Sequence, residues 1–228
     1  IAIIPARGGS KRLKNKNIKI FYGKPILQRT VEILKKSQIF DSIILTTDSA
    51  KIKKLGKKIG IDVIIDRSVN LSKNSATTIE VIQDAIKKLT TIEFDIVCCI
   101  YPCNPLLLIS DLKMTAIKAK NEKKRFIFPV CEYTHPIERG FELEKNNNIS
   151  FINKKNANIN TQTFTKKYHD AGQFYWAKKE VWLKSSTIHN NSKAYIIPKY
   201  RAVDIDDIED WKKAKAFCQY LGTWELNL

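Results

Sequence analysis

The chain has 228 residues, of which 43% are hydrophobic and 10% aromatic, and it carries a formal net charge of +17. This composition excludes a disordered chain and is typical of one medium-sized folded domain. The longest apolar run is far shorter than the roughly 20 residues that cross a bilayer, which excludes a transmembrane helix. The five cysteines form no CxxC pair and no zinc spacing. We therefore expect reduced core cysteines in a cytoplasmic protein.

The strong positive charge has two interpretations. It can indicate an anionic partner, such as a nucleotide, a nucleic acid or an acidic membrane face. It can also mean that lysine is the default surface residue of this chain, which explains most of the charge because lysines are abundant throughout. The cluster at residues 7–16 differs, because it combines arginine, glycine and serine with its lysines.

Strand and helix patterns alternate along the chain. Apolar runs predict strands at 1–4, 42–47, 62–65, 94–101, 125–130 and 194–197. Amphipathic patterns predict a helix that begins at Pro25 and a second helix that follows Asp48 and runs to Ile59. They also predict a helix with the apolar residues of 79–89, one that is capped by Ser110 or Asp111, and one over 208–220. This alternation predicts an α/β fold with a mainly parallel sheet in a single domain over 1–228.

Residues 133–167 interrupt this alternation. The segment is polar and rich in asparagine, and it contains two short strand-like pieces, 141–143 and 149–152. Such a β-rich insertion is typical of an oligomerisation arm or a substrate lid. A surface hairpin without a function explains it nearly as well.

The first 17 residues contain the strongest candidate for a binding site. An apolar strand ends at Pro5 and is followed by a loop with Arg7, Gly8, Gly9, Ser10, Lys11, Lys16 and Asn17. Glycines allow a tight turn that directs N–H groups into a concavity, and the cations add positive charge. A polyphosphate at the carboxyl end of a strand fits this combination. The Walker A and GxGxxG spacings are absent, and a surface turn is the alternative.

Three aspartates near the end of the chain form the second candidate. Alternation along an extended segment places Asp204 and Asp206 on one side, where two carboxylates and phosphate oxygens can hold Mg²⁺. Helix capping is the competing explanation, and it accounts best for Asp207. Asp48 and Arg67 also follow predicted strands, where α/β sheets build binding sites. A phosphate loop with a late aspartate pair predicts nucleotidyl transfer.

Several segments together resemble a known family. They read IPARGGSKRLKNKNI, GKPIL, TTD (46–48), LSKNSATTIEVI (71–82), YPCNPL (101–106), HP (135–136) and VDIDDIED (203–210). The combination closely resembles the sialic-acid-type cytidylyltransferases, which activate nine-carbon nonulosonic acids with CTP. Within that family, the segment YHDAGQFYW and the tyrosine at position 101 are most similar to members that use pseudaminic acid.

The resemblance implies a Rossmann-like nucleotidyltransferase fold of three layers, Mg²⁺ as the cofactor, and a homodimer formed through the insertion. It implies that the triphosphate is lined by Ala6, Arg7, Gly8, Gly9, Ser10, Lys11 and Asn17. It implies catalytic roles for Arg7, Lys11, Lys16, Asp204 and Asp206, with the two aspartates as metal ligands. Arg67 and Thr77 match positions near the cytosine. Tyr101, Asn104, Gln173 and Tyr175 match the sugar side.

Two departures from the family pattern lie on the sugar side. Sialic-acid enzymes usually have glutamine where this chain has Tyr101, and NGA where it has 171–173. These departures weaken a plain sialic acid assignment and favour pseudaminic acid, with N-acylneuraminate or legionaminic acid as alternatives. A basic nucleic-acid-binding module is the alternative from a different class. The enzyme hypothesis expects no nucleic acid and no membrane as partners.

Overall fold

The computed structural model describes residues 1–10, 12–73 and 75–222. Its strands are β1 (Ala2–Pro5), β2 (Ile20–Phe21), β3 (Lys24–Pro25), β4 (Ile43–Thr47), β5 (Val63–Asp66), β6 (Ile96–Ile100), β7 (Ile127–Glu132), β8 (Phe141–Leu143), β9 (Ile149–Phe151), β10 (Tyr168–Asp170), β11 (Phe174–Lys178) and β12 (Lys193–Ile196). Its α-helices are α1 (Ile26–Ser37), α2 (Ala50–Lys58), α3 (Thr78–Lys88), α4 (Ile109–Asn121), α5 (Lys179–Lys184) and α6 (Ile208–Tyr220). In the part of the chain described, no helix has the length and apolar character needed to cross a bilayer.

The central sheet has the strand order β10-β7-β11-β6-β1-β4-β5, and β12 also pairs with β7. Strands β6, β1, β4 and β5 run parallel, with Ala2 opposite both Ile43 and Cys98. Strand β11 runs antiparallel to both β6 and β7. The predicted α/β fold is confirmed, and its sheet is mixed: β6, β1, β4 and β5 run parallel on one side of β11, and β12 runs parallel to β7 on the other side.

The helices cover both faces of this sheet. On one face, strand residues such as Ile4 pack against helices α1, α2 and α4. The helix residues in this contact include Leu27 and Val31 of α1, Ile52 of α2 and Leu112 of α4. On the other face, strand residues such as Ile3 pack against helices α3 and α5. The helix residues here include Ile79, Ile82 and Ile86 of α3 and Trp182 of α5. Because neighbouring side chains of a strand point to opposite faces, Ile3 and Ile4 serve the two cores separately. The result is a three-layer arrangement.

Helix α6 packs at one end of this sandwich in a separate apolar cluster. Trp211 of α6 and Phe21 meet edge to face with their ring centroids 5.1 Å apart, and Ile205 is fully buried beside them. Asp207 caps α6 by accepting hydrogen bonds from the N–H groups of Glu209 and Asp210 at 2.8 and 3.0 Å. The predicted bounds of this helix and the capping role of Asp207 are confirmed.

Helix α4 begins differently from the prediction. Leu108 occupies the N-cap position and makes no side-chain cap hydrogen bond, so the expected cap at Ser110 or Asp111 is wrong. Asp111 is instead buried and forms an ion pair with Arg201, and it accepts a hydrogen bond from the Tyr195 hydroxyl at 2.9 Å. A short polar residue before an apolar run resembles a cap, but here the carboxylate neutralises a buried cation.

The insertion contains the predicted hairpin, formed by β8 and β9. The rings of Phe141 and Phe151 are 4.5 Å apart across it. Arg139 donates to the carbonyl oxygens of Ala157 and Ile159 at 3.0 and 2.6 Å and so ties the hairpin to the segment that follows. The hairpin keeps apolar side chains exposed, including Leu143 at 72%.

The buried ion pair predicts a large stability difference between two variants. Asp111→Ala leaves the Arg201 guanidinium buried without its counter-charge, so we expect the free energy of unfolding to fall by about 3–5 kcal/mol. Urea unfolding followed by circular dichroism measures this change. Glu180→Ala is the control, because Glu180 pairs with Lys184 on the surface, and we expect no measurable loss there. Similar stability for both variants would contradict the prediction.

Candidate active site

A cavity of about 580 Å³ opens where β1 and β6 end. It is lined by the loop after β1, the start of α3, the segment after β6 and the segment before α6. Among the residues predicted from sequence, those on its wall are Arg7, Ser10, Lys16, Asn17, Arg67, Thr77, Tyr101, Asp204 and Asp206. The two candidate sites, almost two hundred residues apart in sequence, therefore share one cavity.

Of the other predicted residues, those that the structure describes lie outside the cavity wall. Ala6 is buried and donates its N–H to Thr46 O at 3.0 Å, while Gly9 is exposed. Lys11 lies outside the described residues. Asn104 and Gln173 are buried, and Asn104 Nδ2 and Gln173 Oε1 have no hydrogen-bond partner among the described residues. The predicted ligand roles of these residues stay predictions.

The loop after β1 is held against the end of β4. Gly8 donates its N–H to Asp48 Oδ1 at 2.8 Å. A Cβ atom at Gly8 would lie 2.9 Å from Ser49 Cβ, which is too close, so this approach requires glycine. Asn17 is buried, and its side chain donates to Arg7 O at 2.8 Å. Asp48 and Asn17 thus fix the backbone at the start of the cationic loop, at Gly8 and Arg7.

Lys16 joins this loop to the aspartate segment. Its ammonium group donates to Ile205 O and lies 3.3 Å from Asp206 Oδ1. Arg12 contacts the other oxygen of Asp206 at 2.5 Å. The aspartate trio therefore divides by role: Asp207 caps α6, while Asp204 and Asp206 face the cavity.

The two cavity aspartates fit a divalent cation. Asp204 is open to the cavity, but partial burial of its carboxylate and the nearby Asp206 raise its pKa, while Lys16 acts in the opposite direction. Each of two neighbouring carboxylates disfavours the ionised form of the other, and a cation bound between them would stabilise both in the ionised form. The described residues contain no group of three or more metal-ligating side chains. A cation here would therefore complete its shell with ligand or water oxygens, as Mg²⁺ commonly does.

Arg67 and Thr77 also line the cavity. Arg67 is buried, burial lowers its pKa, and it donates to Thr46 O at 2.8 Å. Its Nε has no hydrogen-bond partner among the described residues. Thr77 caps α3 in a reciprocal pair with Glu80, and its hydroxyl donates to Glu80 Oε2 at 2.8 Å. The Thr77 hydroxyl is thus already engaged in capping.

Four wall residues with polar or charged side chains were not among the predicted site residues, namely Arg12, Lys73, Thr78 and Cys103. Arg12 follows the predicted residue Lys11, and Thr78 follows the predicted residue Thr77. Their positions in these motifs could have identified them from the sequence. Cys103 donates its Sγ–H to Asn17 Oδ1 at 3.2 Å. Burial raises the pKa of Cys103 to about 12, which keeps it a thiol at neutral pH. It supports Asn17 and is unreactive.

Known proteins resemble this chain along almost its whole length. The family model described as cytidylyltransferase matches residues 1–221. The pseudaminic acid cytidylyltransferase of Campylobacter jejuni is 37% identical over 218 residues, which cover 94% of each chain. The N-acylneuraminate cytidylyltransferase of Escherichia coli is 30% identical over all of this chain and 54% of its own length.

The fold has solved counterparts. The structure of CMP:2-keto-3-deoxy-manno-octonic acid synthetase complexed with CTP superimposes with a TM-score of 0.71 at 14% identity, covering 97% of this chain and 98% of that one. At this identity the likeness concerns the fold alone. The family match and the 37% identical relative carry the assignment: the chain belongs to the cytidylyltransferase family and is an enzyme of the nucleotidyltransferase class.

Proposed function

We propose that this enzyme transfers the cytidylyl group of CTP to pseudaminic acid, giving the cytidine-monophosphate sugar and pyrophosphate. The observation that carries the proposal is the 37% identity to a pseudaminic acid cytidylyltransferase over 94% of both chains. The cavity supports it, because cationic side chains and a carboxylate pair meet there. The product would serve the glycosylation of surface glycans or flagellin.

The cationic side of the cavity would bind the triphosphate. In this reaction the sugar C2 hydroxyl loses its proton and attacks the α-phosphorus. The bond from that phosphorus to the α,β-bridging oxygen breaks, and this oxygen leaves with pyrophosphate. Arg7, Ser10 and Lys16 would hold the phosphate oxygens, with Lys11 and Arg12 from the same loop. Their fixed positive charges would stabilise the negative charge that grows on pyrophosphate. The anchors at Asp48 and Asn17 would keep this loop in place between turnovers.

Mg²⁺ would bind at Asp204 and Asp206. Their carboxylate oxygens are the hard donors that this ion prefers. When bound, the ion would neutralise part of the charge on the phosphate oxygens. Arg12 and Lys16 already balance Asp206, so these cations would hold that carboxylate in position toward the cavity.

The remaining wall of the cavity would bind the base and the sugar. Arg67 and Thr77 would lie near the cytosine, and Tyr101, Asn104, Gln173 and Tyr175 near the sugar. N-acylneuraminate is the second candidate sugar, because a relative that uses it by name is 30% identical over the whole chain.

We also propose a cytoplasmic homodimer. Cys98, Cys99, Cys103 and Cys131 form no disulfide, as expected in a reducing compartment. The hairpin pairs Leu143 with Ile149, and these side chains are 72% and 63% exposed. A second copy of the chain that covered them would remove this apolar surface from water.

The dimer proposal predicts a change of mass in solution. We expect the double variant Leu143→Lys/Ile149→Lys to elute as a monomer, since charges oppose burial at an interface. Light scattering after size exclusion measures the mass. Ile117→Lys is the control, because Ile117 of α4 is similarly exposed at 59%. A monomeric unmodified protein, or a dimer that the hairpin variant leaves intact, would contradict the proposal.

The substrate proposal predicts pyrophosphate release that depends on the sugar. With CTP and Mg²⁺, we expect kcat/KM to be at least about tenfold higher for pseudaminic acid than for N-acylneuraminate, as one well-matched polar group allows. A coupled pyrophosphate assay measures both values, and UTP in place of CTP is the control. The absence of pyrophosphate release with every nonulosonic acid would refute the proposed function.

The metal proposal predicts opposite outcomes at neighbouring aspartates. Asp206→Asn removes a charged oxygen donor, and we expect kcat to fall by about 100-fold or more with a folded protein. Asp207→Asn keeps a capping side chain and should retain kcat within about twofold. Steady-state assays across a Mg²⁺ titration provide the measurement. A normal rate for Asp206→Asn would leave Asp206 with a purely structural role.

A further inference from the structure

Two cationic side chains contact Asp206, and they differ in how firmly they are held. Lys16 is 21% exposed, and its ammonium group also donates to Ile205 O. Arg12 is 69% exposed and contacts Asp206 Oδ2 at 2.5 Å. Within the described part of the chain, the Arg12 guanidinium has no other hydrogen-bond or ion-pair partner. Because exposed ion pairs contribute little free energy, the contact of Arg12 is the one that opens easily.

The backbone at Arg12 is anchored, although its side chain is exposed. The next residue, Leu13, is buried in the apolar cluster that contains Ile205, the residue before Asp206. Ser10, two residues before Arg12, lines the cavity as part of the candidate phosphate loop. Arg12 therefore lies between this loop and the aspartate segment, and its long side chain can turn toward either one without a movement of the backbone.

The contact of Arg12 opposes the binding of a cation at the aspartate pair. Among the described residues, Asp204 has no hydrogen-bond or ion-pair partner, whereas both oxygens of Asp206 contact cations. The two carboxylates are thus matched in charge by Arg12 and Lys16, and a neutral cluster attracts a divalent cation weakly. If Arg12 leaves, the cluster has an excess of negative charge and Asp206 Oδ2 is open to a metal ion.

We propose that Arg12 is a positioning residue that competes with Mg²⁺ for Asp206 and transfers to the triphosphate when CTP binds. This inference rests on the proposed function and adds the order in which the site is assembled. The triphosphate carries several negative charges, and a guanidinium can bind phosphate through two parallel hydrogen bonds. It is therefore a stronger partner for Arg12 than one exposed carboxylate. The departure of Arg12 then raises the affinity of Asp204 and Asp206 for the metal ion.

Arg12→Gln tests the exchange, because it removes the charge and keeps a polar side chain. Without CTP, we expect the Kd of Mn²⁺ to fall about five- to tenfold, since the competing charge is gone. Without a metal ion, we expect the Kd of CTP to rise about tenfold, since a charge-assisted contact with phosphate is lost. Electron paramagnetic resonance of free Mn²⁺ measures the first constant, and calorimetric titration with CTP in EDTA measures the second.

Two further variants complete the experiment. Lys14→Gln is the matched control, because it removes the same charge from the same loop. Lys14 is exposed, lies outside the cavity wall, and has no ion-pair partner among the described residues. We expect both constants to stay within about twofold of the unmodified values in this control. Arg12→Lys keeps the charge without the planar fork, so each constant should lie between those of the unmodified protein and of Arg12→Gln.

The outcomes are distinct. Tighter Mn²⁺ binding together with weaker CTP binding in Arg12→Gln supports the proposal, because a general loss of structure would weaken both. Unchanged or weaker Mn²⁺ binding overturns it, and so does an unchanged CTP affinity. Equal shifts in Lys14→Gln also overturn it, because the effect would then come from the charge of the loop and not from the contact with Asp206. Neither titration uses a sugar, so a failure to release pyrophosphate with any sugar would refute the proposed function separately.

Discussion

The contact of Lys16 with Ile205 and Asp206 is the constraint on which the cavity depends. It joins the loop after the first strand to the segment before the last helix. Because β6, β1 and β4 run parallel, the loop after β1 lies at the end of the sheet where the carboxyl ends of these strands meet. The packing of α6 against Phe21 brings the aspartates there. Lys16 of the loop contacts Ile205 O and the Asp206 carboxylate, so the cationic loop and the carboxylates are held together.

The cavity wall combines charged groups with hydroxyl groups. Cations of the loop after β1 and two carboxylates supply charge, with Arg12 and Lys16 in contact with Asp206. Hydroxyls held by hydrogen bonds, including those of Thr78 and Tyr101, also line the cavity. A nucleotide and a sugar acid likewise combine charged phosphate groups with polar uncharged groups. The large net charge of the chain contributes little to this arrangement, because most lysines are elsewhere.

The sequence predicted the helices and strands that are marked by a pattern within a few neighbouring residues. Apolar runs located β1 and β4, and periodicity located α6, because burial imposes both patterns. It did not predict that β11 runs antiparallel, because a strand buried on both faces is apolar in either direction. It assigned Asp111 to a cap because its partner, Arg201, is distant in sequence. Arg12 and Thr78 were missed because their contacts to Asp206 and Tyr101 are long-range.

The two departures from the family pattern are neighbours in the structure. Tyr101 and the segment 171–173 are about seventy residues apart in sequence, yet the N–H of Tyr101 donates to Gln173 O at 3.0 Å, because β6 and β11 pair antiparallel. The rings of Tyr101 and Tyr175 also pack with their centroids 5.4 Å apart. A glutamine at position 101 would remove this ring contact and place an amide on the cavity wall in place of a phenol. The segment 171–173 therefore helps to position Tyr101 on the cavity wall, although its own residues lie outside that wall.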